Sequence, residues 1–161
     1  MKKTTVVALI FILFCGSAFG QDIKYKAVFI FNFIKHFEWP VEMQTGDFTI
    51  GIANDAEIYE ELARICLGKN AGNQQIVVKK INQPAEAQNC HIFFIGAATS
   101  QNMKINLSKI GNSPTLIITD KEGMAYKGAG VNFISKDNKI TFEINKNNIL
   151  PRNIKVSNYI E

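Results

Sequence analysis

The chain has 161 residues, 47% of them hydrophobic, with 18 basic against 14 acidic side chains. That length buries the core of one domain and falls short of two comfortable ones. The basic residues are scattered, which argues against nucleic acid as a partner, because phosphate binding needs clustered positive charge.

Met1 to Gly20 read as a secretory signal. Lys2 and Lys3 form the charged start, Val6 to Phe14 the apolar centre, and Ala18-Phe19-Gly20 the small-x-small cleavage site. The expected product begins at Gln21 and is a single α/β domain over residues 21–161, located in the periplasm. Cys15 raises lipid attachment, but Phe14 stands before it where lipoprotein processing wants a small side chain. No second apolar run approaches the ~20 residues a membrane-spanning helix needs.

Lys26 to Pro40, KAVFIFNFIKHFEWP, is the densest aromatic stretch. Ala27, Ile30, Ile34 and Phe37 follow helix spacing, with Phe29 and Phe33 in a second row. The pattern predicts a helix that Trp39-Pro40 stops, since the residue before a proline leaves the α region. Its apolar girth fits either a core helix or one that also offers aromatic surface to a partner. Phe48 to Ala53 reads as a buried strand, and Asn54-Asp55 as the cap of a helix from about Ala56 to Leu67 carrying Ile58, Leu62 and Ile65. Gly68 ends it.

Gln75 to Ile81 is a second strand, with lysines typical of a sheet edge. Cys90 to Ile95, CHIFFI, is the continuous apolar run of a central parallel strand. A helix near Gln101 to Ile110 and a buried strand Thr115 to Thr119 follow. Glycine-punctuated Gly123 to Gly130 leads into Val131 to Ile134 and Lys139 to Ile144, two strands of a hairpin with one wet face. A short helix near Asn145 to Leu150 closes the regular structure. The order α, βαββαβ, hairpin predicts a mixed sheet between helical layers.

Once the signal is removed, Cys66 and Cys90 are the remaining cysteines, in a compartment where disulfides persist. One ends a helix and the other begins a strand, and a Cys66–Cys90 disulfide is expected. It would close a loop of roughly 24 residues and stabilise by about 3 kcal/mol. Two buried thiols are the alternative. Neither C-x-x-C nor H-E-x-x-H is present, so no metal site is predicted.

Several blocks together resemble the YfiR-like periplasmic proteins. KAVFIFNFIKHFEWP is similar to that family's aromatic opening helix ending in E-W-P. FTIGIAND resembles its first strand and turn, CHIFFIG its central strand, and TLIITDKEGMAYKGAGVNFISKDNKITFEIN its closing block. The resemblance implies a Rossmann-like mixed sheet flanked by helices on both faces, with a C-terminal β-hairpin. It also implies a protein that binds and does not catalyse. The known regulators of the family are exported repressors that hold the periplasmic sensor domain of a membrane diguanylate cyclase, and so set cyclic di-GMP in the cell. Related domains occur fused to histidine kinases. The chain departs from the regulator branch in having two cysteines of the usual four and in lacking a final amphipathic helix.

No residue reads as catalytic. His91 lies in a buried strand and is expected to be structural. Asp120 and Glu122 are explained by a strand end and a turn, and Ser100 by a helix cap. Gly96-Ala97-Ala98 lacks the spacing of a phosphate loop. The candidates for partner binding are Lys35, His36, Glu38 and Trp39, at the end of the aromatic stretch. Asn54, Gly96 and Asp120 end three strands where an open α/β sheet forms its crevice, and are the candidates for a small ligand. A cofactor is not expected, and a homodimer is left open.

Overall fold

The structure is a computed structural model that describes residues 17–137 and 139–157. The predicted signal segment before Ser17 lies outside the described residues. Its expected boundary at Gln21 falls within helix α1, Ser17–Phe33.

Two-residue strand β1, Phe37–Glu38, follows α1; then come β2, Phe48–Ala53, and helix α2, Ala56–Cys66. A short β3, Asn70–Ala71, turns into β4, Gln74–Lys80. Next are β5, Ile92–Ile95, helix α3, Met103–Ile110, and β6, Leu116–Thr119. The hairpin is β7, Val131–Lys136, and β8, Lys139–Ile144; helix α4, Lys146–Ile149, and β9, Lys155–Val156, complete the chain.

Seven strands form one mixed sheet in the order β3-β4-β2-β5-β6-β7-β8, while β1 and β9 pair separately. The pairings β4-β2-β5-β6-β7 are all parallel, and both ends are closed by antiparallel partners, β3 and β8. The strand order reverses between β2 and β5, as in doubly wound sheets.

Alternation along each strand divides the core in two. Ile50 and Ile52 of β2, Ile92 and Phe94 of β5, Leu116 and Ile118 of β6 and Phe133 of β7 pack with Ala27, Ile30 and Phe33 of α1 and Ile58, Leu62 and Cys66 of α2. Phe93, Ile95 and Ile117 point the other way, to Met103 and Ile110 of α3, Met124 and Cys90. Both faces of the central strands are therefore covered, which explains why CHIFFI shows no polar alternation. Asp55 caps α2 as predicted, its Oδ1 accepting from the Ile58 amide at 3.0 Å. Ser100 is not a cap: its hydroxyl donates back to the carbonyls of Ile95 and Gly96 and is fully buried.

The aromatic helix ends earlier than its apolar spacing predicts. After Phe33 the amides of Ile34, Lys35 and His36 bond three residues back, a tightening turn, and β1 pairs Phe37 with Val156. Phe37 and Trp39 are buried while Glu38 between them is exposed. That is a strand's period of two, which places both rings inward and the carboxylate outward.

Candidate functional site

The segment Phe37 to Phe48 is fastened to the start of β5 by side chains from both. The indole Nε1 of Trp39 donates to the carbonyl of His91 at 3.0 Å. The Trp39 ring meets Phe48 edge-on at 4.9 Å, and Phe48 stacks on His91 at 4.2 Å. His91 Nδ1 accepts from the Thr49 amide at 3.1 Å, and its Nε2 faces the Met43 carbonyl at 2.7 Å. These partners select the neutral tautomer with the proton on Nε2. Burial pushes the imidazole below its ordinary pKa, against the Met43 bond, which raises it. The histidine is structural, as expected, but it stands one residue before β5 and not within the strand.

Gln74 completes the junction, its amide donating to the carbonyls of Met43 at 3.0 Å and Thr45 at 3.3 Å. Gln44 donates to the Trp39 carbonyl at 2.9 Å. The loop is thus held in place from β4, β5 and within itself.

Beside this junction lies a groove of about 430 Å³ between the end of α1, β1 and the β3–β4 turn. Half-buried Phe31 and Ile34, together with Phe37, Trp39, Phe48 and Ile76, give it an apolar floor, and Lys35, Glu38 and Gly72 belong to its lining. Lys35 and Glu38 are exposed. Trp39 is 7% exposed, so its ring supports the groove from the core side. His36 is half-buried, and its carbonyl accepts from the Ser157 amide at 2.9 Å. Three of the four residues singled out for partner binding, Lys35, Glu38 and Trp39, therefore share one concave surface. The sequence did not point to Gly72, Gln74 or Ile76, which reach the groove through a turn with positive φ at Gly72.

The crevice residues are arranged differently. Asn54, Gly96 and Asp120 follow β2, β5 and β6, and so stand at neighbouring strand ends. Asn54, at φ 51°, donates to Thr99 Oγ1 at 3.0 Å and lines a cavity of about 310 Å³ with Lys80 and Asn82. Gly96 is buried against Asp55. Asp120 is paired with Lys26 of α1 at 2.8 Å and lines a separate depression of about 610 Å³ with Glu122, Tyr126 and Glu143. Burial pushes the Asp120 carboxyl above its ordinary range and outweighs the hydrogen bond and charge of Lys26.

The expected disulfide is not formed. Cys66 and Cys90 are both free and buried. Cys66 packs with α1 and α2 on one face of the sheet, and Cys90 with Phe93 and Met103 on the other. A central β-sheet separates them, a geometry no disulfide spans. Burial pushes each thiol up to about 11, which leaves both protonated and unreactive.

Among the described residues, no group of three His, Cys, Asp or Glu is placed to hold a metal ion. No described helix is long and apolar enough to cross a membrane. The fold and groove define a mixed α/β domain with a concave, charge-rimmed apolar surface suited to binding. The chain belongs to the YfiR/HmsC-like family, whose model matches residues 23–160. That is a family of periplasmic signalling regulators and not of enzymes, and its members work through a signalling partner. No curated protein sequence matches the chain.

Proposed function

We propose that the chain is an exported regulator that represses or modulates a membrane-bound diguanylate cyclase or histidine kinase by binding that protein's periplasmic sensor domain. The observation that carries this reading is the groove beside the E-W-P turn. Its floor is apolar, two exposed charges of opposite sign belong to its lining, and buried and half-buried hydrogen bonds of Trp39, His91 and Gln74 hold its walls. A preformed site of this kind binds with little ordering cost. Lys35 and Glu38 select the register of the partner, and Phe31, Ile34 and the supporting Trp39 supply the apolar contact.

Co-purification from envelope membranes under mild solubilisation tests the reading. The expected result is recovery of a membrane-anchored cyclase or kinase by the unaltered chain and its loss with Lys35→Glu/Glu38→Lys. Recovery of neither enzyme by the unaltered chain counts against it.

A second reading is a small-molecule sensor using Asn54, Gly96 and Asp120, favoured by the position of the first two where the strand order reverses. A thermal-shift screen separates the two, because a ligand at one hundred times its Kd stabilises by about 2.7 kcal/mol.

A further inference from the structure

The docking groove is bordered by two strands, and each is paired on one side only. Among the described residues β1 pairs with β9 alone, and β3, at the end of the seven-strand order, with β4 alone. Phe37 and Glu38 of β1 and Asn70 and Ala71 of β3 all line the groove. In an antiparallel ladder, pairs of opposed residues that exchange hydrogen bonds alternate with pairs whose amides and carbonyls point away from the partner strand. The Ile76 amide donates to the Lys69 carbonyl at 3.0 Å, so the next pair, Asn70 with Gln75, is of the second kind. The amide and carbonyl of Asn70 therefore point outward from β4. Ser157 donates to the His36 carbonyl at 2.9 Å, and the same alternation turns the amide and carbonyl of Phe37 away from β9.

The rest of this sheet edge is guarded. Beyond β3, the outer part of β4 carries exposed Lys79 and Lys80, and lysines are how natural sheets keep an edge from pairing. β3 itself carries no charge: it is Asn70 and Ala71, followed by Gly72 at φ 58° in a two-residue turn. The unguarded stretch of edge is the one beside the apolar floor.

On the docking reading above, we infer that the groove takes an extended segment of the partner, which adds to the edge of β3 as a further strand. A helix satisfies its main-chain groups internally and leaves those of Asn70 and Phe37 unmatched, whereas an added strand pairs with them. A strand residue occupies about 3.3 Å along the axis, about 4.8 Å across and about 10 Å through its side chains, so a groove of about 430 Å³ holds about three residues. With a period of two, their side chains fall alternately on the floor of Phe31, Ile34, Phe48 and Ile76 and toward solvent. Exposed Lys35 and Glu38 in the lining match an acidic and a basic residue flanking the apolar ones.

The chain has one tryptophan, Trp39, which supports the groove, so its fluorescence reports occupancy. The probe is the pentapeptide acetyl-Glu-Val-Thr-Val-Lys-amide, compared with the same peptide N-methylated at its three central residues. The expected result for the chain from Gln21 onward is a saturable change with the first peptide. N-methylation and Asn70→Pro should each weaken binding about tenfold, the loss of a main-chain hydrogen bond, while Asn70→Ala leaves it unchanged. Proline is tolerated at an edge whose N–H faces outward, so Asn70→Pro keeps the β3–β4 ladder, and circular dichroism checks the fold. Capture of the membrane partner should fail with Asn70→Pro as well. Capture that survives Asn70→Pro but fails with Lys35→Glu/Glu38→Lys keeps the docking reading and overturns the added strand. Peptide binding that is absent, or indifferent to N-methylation, also overturns it. Peptide binding as expected by a chain that captures no cyclase or kinase supports the strand-accepting groove and removes the partner assignment.

Discussion

The indole nitrogen of Trp39 donates to the main-chain carbonyl of His91 from 52 positions earlier in the sequence, and the rings of Trp39, Phe48 and His91 are mutual neighbours. That carbonyl also accepts from the Leu116 amide at 2.8 Å, so the indole takes up its second lone pair and adds a side-chain bond at the mouth of the ladder. The same histidine spends both ring nitrogens on main-chain groups, Thr49 and Met43. One tryptophan and one histidine thus tie the loop after α1 to the centre of the sheet, and the groove inherits its rigidity from them.

Acid should loosen that tie. The His91 imidazole is held below the ~6.5 of an unfolded histidine. Between the two values the unfolded chain binds more protons, so stability is present above pH 6.5 and falls as pH drops through it toward the folded value. Urea midpoints measured from pH 7.5 to pH 5 should decline, and His91→Gln should lessen the slope while lowering stability at pH 7.5. An unchanged slope in the variant would assign the acid sensitivity to other groups.

The cysteines should behave as two buried thiols. Thiol counting on the unfolded, non-reduced chain from Gln21 onward should find both, and the folded chain should react slowly, because each thiol is buried and raised to about 11. A count of no free thiols after unfolding would overturn the placement of the two on opposite faces of the sheet.

Much of the fold was legible because the central strands are nearly pure apolar runs and helix α2 repeats Ile58, Leu62 and Cys66 at one face. The site was legible only in part. Lys35, Glu38 and Trp39 stand close together in the sequence, and a turn brings them to one surface. Their neighbours Gln74 and Ile76 arrive through tertiary packing that no local pattern encodes. The end of α1 was misread because Phe37-Glu38-Trp39 satisfies helix spacing when read with Ile30 and Ile34, and strand spacing when read alone; pairing with β9 decided it. The cysteines were misjudged because sequence separation says nothing about which face of a sheet each one occupies.

Gly51 marks a point where the core has no slack. A Cβ there would stand 2.7 Å from Ile81 Cγ1 and 2.8 Å from Cys90 Sγ. Gly51→Ala should destabilise by about 1–3 kcal/mol, the usual cost of overpacking. Adding Cys90→Ala removes one of the two obstructing atoms and should recover part of the loss in chemical denaturation. Full additivity of the two changes would sink this account.

The Lys26–Asp120 pair should reveal itself through pH. Removing the ammonium with Lys26→Met leaves a largely buried carboxylate without its partner at 2.8 Å, and should cost about 1–3 kcal/mol at pH 7. Asp120 already has a folded pKa above its unfolded value, and loss of Lys26 raises it further. A raised carboxyl loses stability as pH climbs above the unfolded value of ~3.9, so the variant should regain stability relative to the parent on acidification toward pH 4. Lys26→Met/Asp120→Asn should show neither the penalty nor the pH trend. Denaturation of these three forms and of Asp120→Asn alone, at pH 4.5 and pH 7, completes the cycle.

The groove itself can be separated from the core beneath it. Trp39→Phe keeps an aromatic ring against Phe48 and removes the bond to His91, which should cost about 1 kcal/mol. Trp39→Ala also opens a cavity under the groove and should cost about 3–5 kcal/mol. Lys35→Glu/Glu38→Lys changes only exposed charge and should leave stability within about 0.5 kcal/mol. If Lys35 and Glu38 read the partner while Trp39 only supports the surface, membrane-partner capture by the folded protein should survive Trp39→Phe and fail in the charge-reversed pair. Capture that fails in Trp39→Phe, with the fold intact by circular dichroism, would instead make the indole edge itself a contact. Capture that survives the charge reversal would move the docking site away from this groove.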